Sequence, residues 1–205
     1  GFENKQFQSK PNLLSLSIED NLKPTIEYYK NEIGFENKQF QRLPALLTFS
    51  IEDNLKPKVE YYRNELGFEN KQFKSHPVLL GLSIEDNIKP TVKYFKNELG
   101  FKNKQFQINP ILLGCSIEDN IKPKVEYYKN ELDFENKQFQ SKPNLLSCSI
   151  EDNIKPKVEY YKNKLGFENK QFQSNPSLFN LSIEDSIKPK VEYFKKELGF
   201  DNKQF

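Results

Sequence analysis

The sequence predicts an all-α fold, a superhelical solenoid of six 33-residue helical repeats, and three observations predict it. The string Gly1-Phe2-Glu3-Asn4-Lys5-Gln6-Phe7 returns at Gly34, Gly67, Gly100, Asp133, Gly166 and Gly199, always 33 residues on and without an insertion. A Ser-Ile-Glu-Asp signature of a helix start recurs with the same step, and the apolar residues behind it follow helical spacing. A constant step implies one structural unit, stacked. The chain reads as a single array over 1–205, with repeats at 1–33, 34–66, 67–99, 100–132, 133–165 and 166–198, and 199–205 opening a further repeat.

Each element follows from the residues of the unit 34–66. Phe35 to Arg42 reads as a short helix that turns Phe35 and Phe40 inward and is ended by Pro44. Pro44-Ala45-Leu46-Leu47 makes a tight turn or 3₁₀ piece that buries the Leu pair, since Pro suits a first helical position and the segment is too short for a stable α-helix. Ser50 to Asp53 pairs an N-cap hydroxyl with an acid three places later, as do Ser17, Ser83, Ser116, Ser149 and Ser182 in their repeats. Pro57 follows, and Lys56 before it is steered away from the α region, so the helix is expected to kink there or to restart at Pro57. Leu55, Val59, Tyr62 and Leu66 then form one stripe of an amphipathic helix, with Glu60, Arg63, Asn64 and Glu65 outside it. Gly67 supplies a left-handed C-terminal cap, and Asp133, which replaces it once, predicts a slightly strained or differently capped junction.

Composition bounds the function classes. Hydrophobic residues are 36 % of the chain, but 18 Phe and 10 Tyr are enough for a thin core running along a stack. The net charge of +2, from 31 basic and 29 acidic residues, excludes a polycation, so nucleic-acid affinity requires charges sorted onto one face. The apolar runs are far shorter than the roughly 20 residues that cross a bilayer, and no membrane partner is expected. No leader is visible, although a chain that begins in phase with the repeat and without Met leaves a removed leader open. Both ends lack a polar capping repeat, so an array that continues or is capped by a partner is expected. Cys115 and Cys148 stand where other repeats carry Leu16, Phe49, Leu82 and Leu181, which reads as a small buried hydrophobe rather than a disulfide or metal pair.

The stretch Pro44 to Phe68, echoed in every repeat, combines Pro-x-Leu-Leu, a Ser-x-Glu about six residues after that Pro, and the Leu-Lys-Pro-Lys-Val-Glu-Tyr block entering the long helix. It resembles the repeat of the mitochondrial transcription termination factor (mTERF) family over essentially the whole chain. The ankyrin and tetratricopeptide signatures of similar period are missing. The resemblance implies a left-handed, curved solenoid of three-element helical units that acts in mitochondria, or alternatively in chloroplasts or other plastids, on duplex DNA or structured RNA. Two departures stand out. Only nine residues separate the Gly from the Pro, about a helical turn fewer than the family usually has, and the repeats are unusually alike.

No catalytic residue is expected, and no cofactor, metal or small-molecule substrate. His76 is the single His, and its frame holds Lys10, Leu43, Asn109, Lys142 and Asn175 elsewhere. The Glu19-Asp20 pairs point about 100° apart on a helix and suit a first helical turn. The cations are the stronger lead: Lys56 and Lys58, with Lys122 and Lys124, Lys155 and Lys157, Lys188 and Lys190, and the single Lys23 and Lys89, stand at helix entrances as a ladder suited to a phosphate backbone. The alternative is that these lysines balance acids such as Glu19, Asp20, Glu27 and Glu32 on a solvated face. Most repeat-to-repeat variation falls in the window before the capped turn, which offers Lys10, Arg42, His76, Asn109, Lys142 and Asn175 as partner-specific candidates or reflects drift in an exposed turn. The expected function is organellar nucleic-acid binding that regulates transcription or RNA, within a ribonucleoprotein such as the mitochondrial ribosome; the alternative is a protein-binding or structural scaffold.

Overall fold

The computed structural model describes residues 3–201, so Gly1, Phe2 and 202–205, the last belonging to the opening of the seventh repeat, lie outside it. Every regular element among the described residues is helical, an all-α fold of the helical-repeat solenoid class. The contacts group the chain into two compact units, 1–93 with 101–114, and 94–100 with 115–205.

In the first unit the plan is clearest in the second repeat: α-helix Asn37–Arg42, 3₁₀ helix Pro44–Thr48, π turn Ile51–Leu55 and α-helix Lys56–Leu66. The short helix starts where the Glu36 N–H donates to Gln39 Oε1 at 2.9 Å. At the capped turn Ser50 Oγ accepts the Asp53 N–H at 3.2 Å and donates to the Asp53 carboxylate at 2.9 Å. The backbone stays in the α region through Lys56, which the sequence expected Pro57 to steer out of it. Lys56 is fully α-helical at φ −57, ψ −54, and its N–H and that of Leu55 reach back five residues, to Ile51 and Ser50. The extra residue of a π turn opens the helix where the Pro ring would otherwise strike a carbonyl, so the helix runs continuously over 51–66. The second unit repeats the plan twice, with Ile150–Ile154 leading into Lys155–Leu165 and Ile183–Ile187 into Lys188–Leu198.

The core is a row of aromatic triads. In the first unit Tyr62 stacks on Phe68 at 5.2 Å and meets the Phe73 edge at 5.6 Å; in the second, Tyr161 does the same with Phe167 and Phe172 at 5.0 and 5.8 Å. Such pairs contribute about 0.5–1.5 kcal/mol each beyond their area. A buried phenol needs an acceptor, and the next repeat's 3₁₀ turn supplies it: Tyr62 donates to the Leu79 carbonyl at 3.0 Å and Tyr29 to that of Leu46 at 3.2 Å. Burial pushes the Tyr161 phenol up to about 12 and raises Tyr29, Tyr62 and Tyr128 further.

The polar residues of the recurring string hold the stack. A helix end leaves orphan carbonyls. Those of Glu65 and Leu66 accept from Asn103 Nδ2 at 2.7 Å and Gln107 Nε2 at 2.8 Å, and in the second unit Glu98 and Leu99 accept from Asn136 and Gln140 in the same way. Gly67 is left-handed at φ 66, a conformation that favours glycine, and a Cβ there would lie 2.8 Å from the Gln107 amide and make that side chain shift. Asp133 keeps the left-handed conformation at φ 53: its N–H goes to the Tyr128 carbonyl as that of Gly199 goes to Phe194, and its carboxylate adds a contact, accepting from Asn169 Nδ2 at 2.6 Å. Cys115 and Cys148 form no disulfide and are half-buried rather than core residues, since their place lies at the rim of the 3₁₀ turn.

Candidate functional site

The lysine ladder divides into three classes. The first lysine of each pair reaches back one turn to a glutamate: Lys23 to Glu19, Lys56 to Glu52 and Lys89 to Glu85 in the first unit, and Lys122 to Glu118, Lys155 to Glu151 and Lys188 to Glu184 in the second, all at 2.5–2.6 Å. The glutamate hydrogen bond raises the Lys89, Lys122 and Lys188 ammonium pKa values. These six are exposed or half-buried, with their charge balanced locally.

The second lysine is a correction to the sequence reading. Lys58, Lys124 and Lys157 are 8–9 % exposed and turn inward instead of facing a phosphate backbone. Lys58 Nζ donates to Asn54 Oδ1 and to the Leu80 carbonyl of the next repeat, both at 2.9 Å. Lys124 donates to Asn120 and Leu146, and Lys157 to Asn153 and Phe179, in the same register. Their long stems cross the repeat boundary, and the ammonium finds two oxygens there at the cost of its hydration. Burial pushes all three amines below the usual lysine range. Lys190 alone among these second lysines is exposed.

The partner-specific candidates differ in exposure. Lys10, Arg42 and Asn175 are exposed, His76 and Lys142 are half-buried, and Asn109 is buried at 8 %. All but Arg42 are the residue that ends the short helix, with φ between −131 and −142, so their exposure follows what the adjoining turn covers. His76 Nδ1 lies 2.9 Å from Ser75 Oγ, and burial first, then the Arg42 charge, holds the imidazole below its usual range.

The cations that stand clear lie further along the long helices. In the second unit the groove between Lys155–Leu165 and Lys188–Leu198 is lined by Tyr160, Asn163, Lys164, Lys188, Glu192 and Lys195, among others. Lys164 and Lys195 are exposed and carry no ion pair among the described residues. The first unit holds the same groove at Tyr28, Glu32, Lys56, Val59, Glu60 and Arg63. There Glu32 stands in the frame of Lys164, and the Arg63 guanidinium is committed to the Glu32 carbonyl and Asn70 Oδ1 at 2.8 and 2.9 Å. Sequence reasoning passed over Lys164 because only one repeat has it; comparison of the 33-residue frames column by column is the signal that finds it. The lysines of the recurring string are paired too, Lys38 with Glu36, Lys71 with Glu69, Lys137 with Glu135 and Lys170 with Glu168 at 2.6–2.9 Å, while Lys104 has Lys102 in place of that acid.

No helix among the described residues is long and apolar enough to cross a membrane. Residues 137–203 match the mTERF family model, a stretch that takes in most of repeat five and all of repeat six, and the frame of those repeats recurs in the four before them. No curated protein matches the chain.

Proposed function

We propose that this chain is a repeat protein of the mTERF type that binds nucleic acid without catalysis, taking duplex DNA or structured RNA by its phosphate backbone at the long-helix groove of the second unit. The mTERF match over 137–203 carries the reading, and the matched segment contains Lys164, Lys188 and Lys195. Two exposed, unpaired ammonium groups beside a half-buried Tyr160 suit phosphate contact, which positions a nucleic acid without reading its sequence. The family likeness supports an organellar site of action, the mitochondrion first and the plastid second, in transcription or in an RNA assembly such as the mitochondrial ribosome. The near-complete internal pairing of the ladder lysines favours a second reading, a protein-binding scaffold.

A titration against duplex DNA, structured RNA and single strands over a range of salt separates the two. Binding through phosphates gives a linear fall of log affinity with log salt, and Lys164→Gln with Lys195→Gln lowers its slope by about one unit for each phosphate no longer neutralised. No binding by the parent chain leaves the scaffold reading; binding with an unchanged slope in the double variant moves the site away from this groove.

A further inference from the structure

We propose that the groove beside Thr25 in the first unit is a binding site for a primary alkylammonium group. In three repeats a lysine crosses to the next repeat and its ammonium meets an Asn Oδ1 and a 3₁₀-turn carbonyl, as Lys58 does with Asn54 and Leu80. In the first repeat that lysine is Thr25, and the frame equivalents of the two acceptors are Asn21 and Leu47. The shorter side chain leaves a groove of about 370 Å³, lined by Asn21, Thr25, Leu47 and Phe49, with Asp20 and Glu52 among its walls. Thr25 is 5 % exposed, yet makes no side-chain hydrogen bond among the described residues, so its hydroxyl is an unused polar group at the base of the groove.

The asparagine reports the missing group. Where lysine is present, Asn54, Asn120 and Asn153 accept from the ammonium at Oδ1. Where threonine stands, Asn21 Oδ1 turns to the Ser17 N–H at 3.1 Å, and Asn87, in the repeat carrying Thr91, turns likewise to the Ser83 N–H. An amide oxygen has two acceptor sites, so Asn21 can take a second donor or exchange the first. Phe49 supplies an aromatic wall: Lys58 Nζ already lies 5.4 Å from that ring. Of the acids on the walls Glu52 is already paired with Lys56, while the Asp20 carboxylate takes only the neutral Ser17 hydroxyl among the described residues, so Asp20 is the charge that selects a cation. An ammonium with N–H donors on a slim alkyl stem fits; a quaternary ammonium offers no donor to either oxygen.

The test is n-butylammonium titrated into the full chain at constant ionic strength, read by the NMR shifts of the Ser17 backbone N–H and the Asn21 side-chain amide. A saturable shift at these two groups, with a Kd on the order of millimolar for one small charged group, is expected, and tetramethylammonium should leave both in place. Thr25→Lys should fill the site from within and abolish the response, and Thr25→Met, which fills it without a charge, should abolish it too. An equal response to tetramethylammonium, a response retained in either folded variant, or no response in the parent overturns the proposal. Spermidine and Nα-acetyl-lysine amide as further probes distinguish a free polyamine from the side chain of a polypeptide, by which saturates the same two signals at lower concentration.

Discussion

Two grooves built on one frame differ where it counts. Around Tyr28 the first unit sets Glu32 and Glu60 against Lys56 and Arg63; around Tyr160 the second sets Glu192 alone against Lys164, Lys188 and Lys195. The shared lysines, Lys56 and Lys188, are both paired with a glutamate one turn back, so the difference rests on a single acid-to-lysine exchange and on an arginine tied into the stack. The shared lysines at the helix entrance are occupied within the fold, and the charge that distinguishes the second groove comes from Lys164, which breaks the repeat, and from Lys195, a lysine where the first groove has the engaged Arg63.

The shared part of the frame gives the largest expected effect. Lys58→Met in the first unit and Lys157→Met in the second keep the stem and delete the ammonium, leaving an asparagine oxygen and a turn carbonyl short of a donor. Each should lower stability by about 1–3 kcal/mol, as removal of one partner from a buried hydrogen bond does, with the urea midpoint falling at constant slope. Lys56→Met, which breaks only an exposed pair, should cost less than about 1 kcal/mol. Nucleic-acid affinity should not change in Lys58→Met. Weaker binding at unchanged stability would return the buried lysines to the phosphate surface and cancel the contrast between the grooves.

The differing part comes next. Lys164→Glu copies the first groove into the second, and Glu32→Lys copies the second into the first. The former should weaken binding by about tenfold or more at low salt and flatten the salt slope by about one unit; the latter should add part of that back in the double variant. Both positions are exposed, so stability should stay within roughly 0.5 kcal/mol. If the two exchanges act alike, the second groove is not special.

How much of this was legible in the sequence follows from the same division. Period, capped turns, the Leu55-Val59-Tyr62-Leu66 stripe and the left-handed caps all depend on short-range chemistry and are found where the sequence places them. The path through Lys56-Pro57 was not, because the rule for residues before proline assumes an α-helical hydrogen-bond register, and a π turn changes it. Nor was the fate of Lys58. A cation at a helix entrance looks solvated in one repeat, and only the next repeat's Leu80 carbonyl, 22 residues on, shows why it is buried. Lys164 was hidden for the opposite reason: it occurs once, and a search for what recurs discards it.

Arginine against lysine in the groove frame supplies the smallest effect and the finest test. Arg63 reaches both the Glu32 carbonyl and Asn70 Oδ1, whereas in the second unit Lys129 and Lys162 hold the same frame and the matching oxygens, Asn136 Oδ1 and Asn169 Oδ1, are buried without a hydrogen-bond partner among the described residues. A guanidinium presents a planar fork of donors where an ammonium is a compact point, so it can serve two acceptors set side by side. Lys129→Arg and Lys162→Arg should each satisfy one such oxygen and add about 0.5–1 kcal/mol, a rise in Tm of a few degrees at most for a chain of this size. Charge is conserved, so the salt slope of nucleic-acid binding should not move, and the gain in stability reads the stack-holding role of Lys129 and Lys162 by itself. A slope that rises with the arginines would mean that Lys129 and Lys162 also face the nucleic acid, as Lys195 is proposed to, and that Arg63, in the groove with the acids, is the better-built contact.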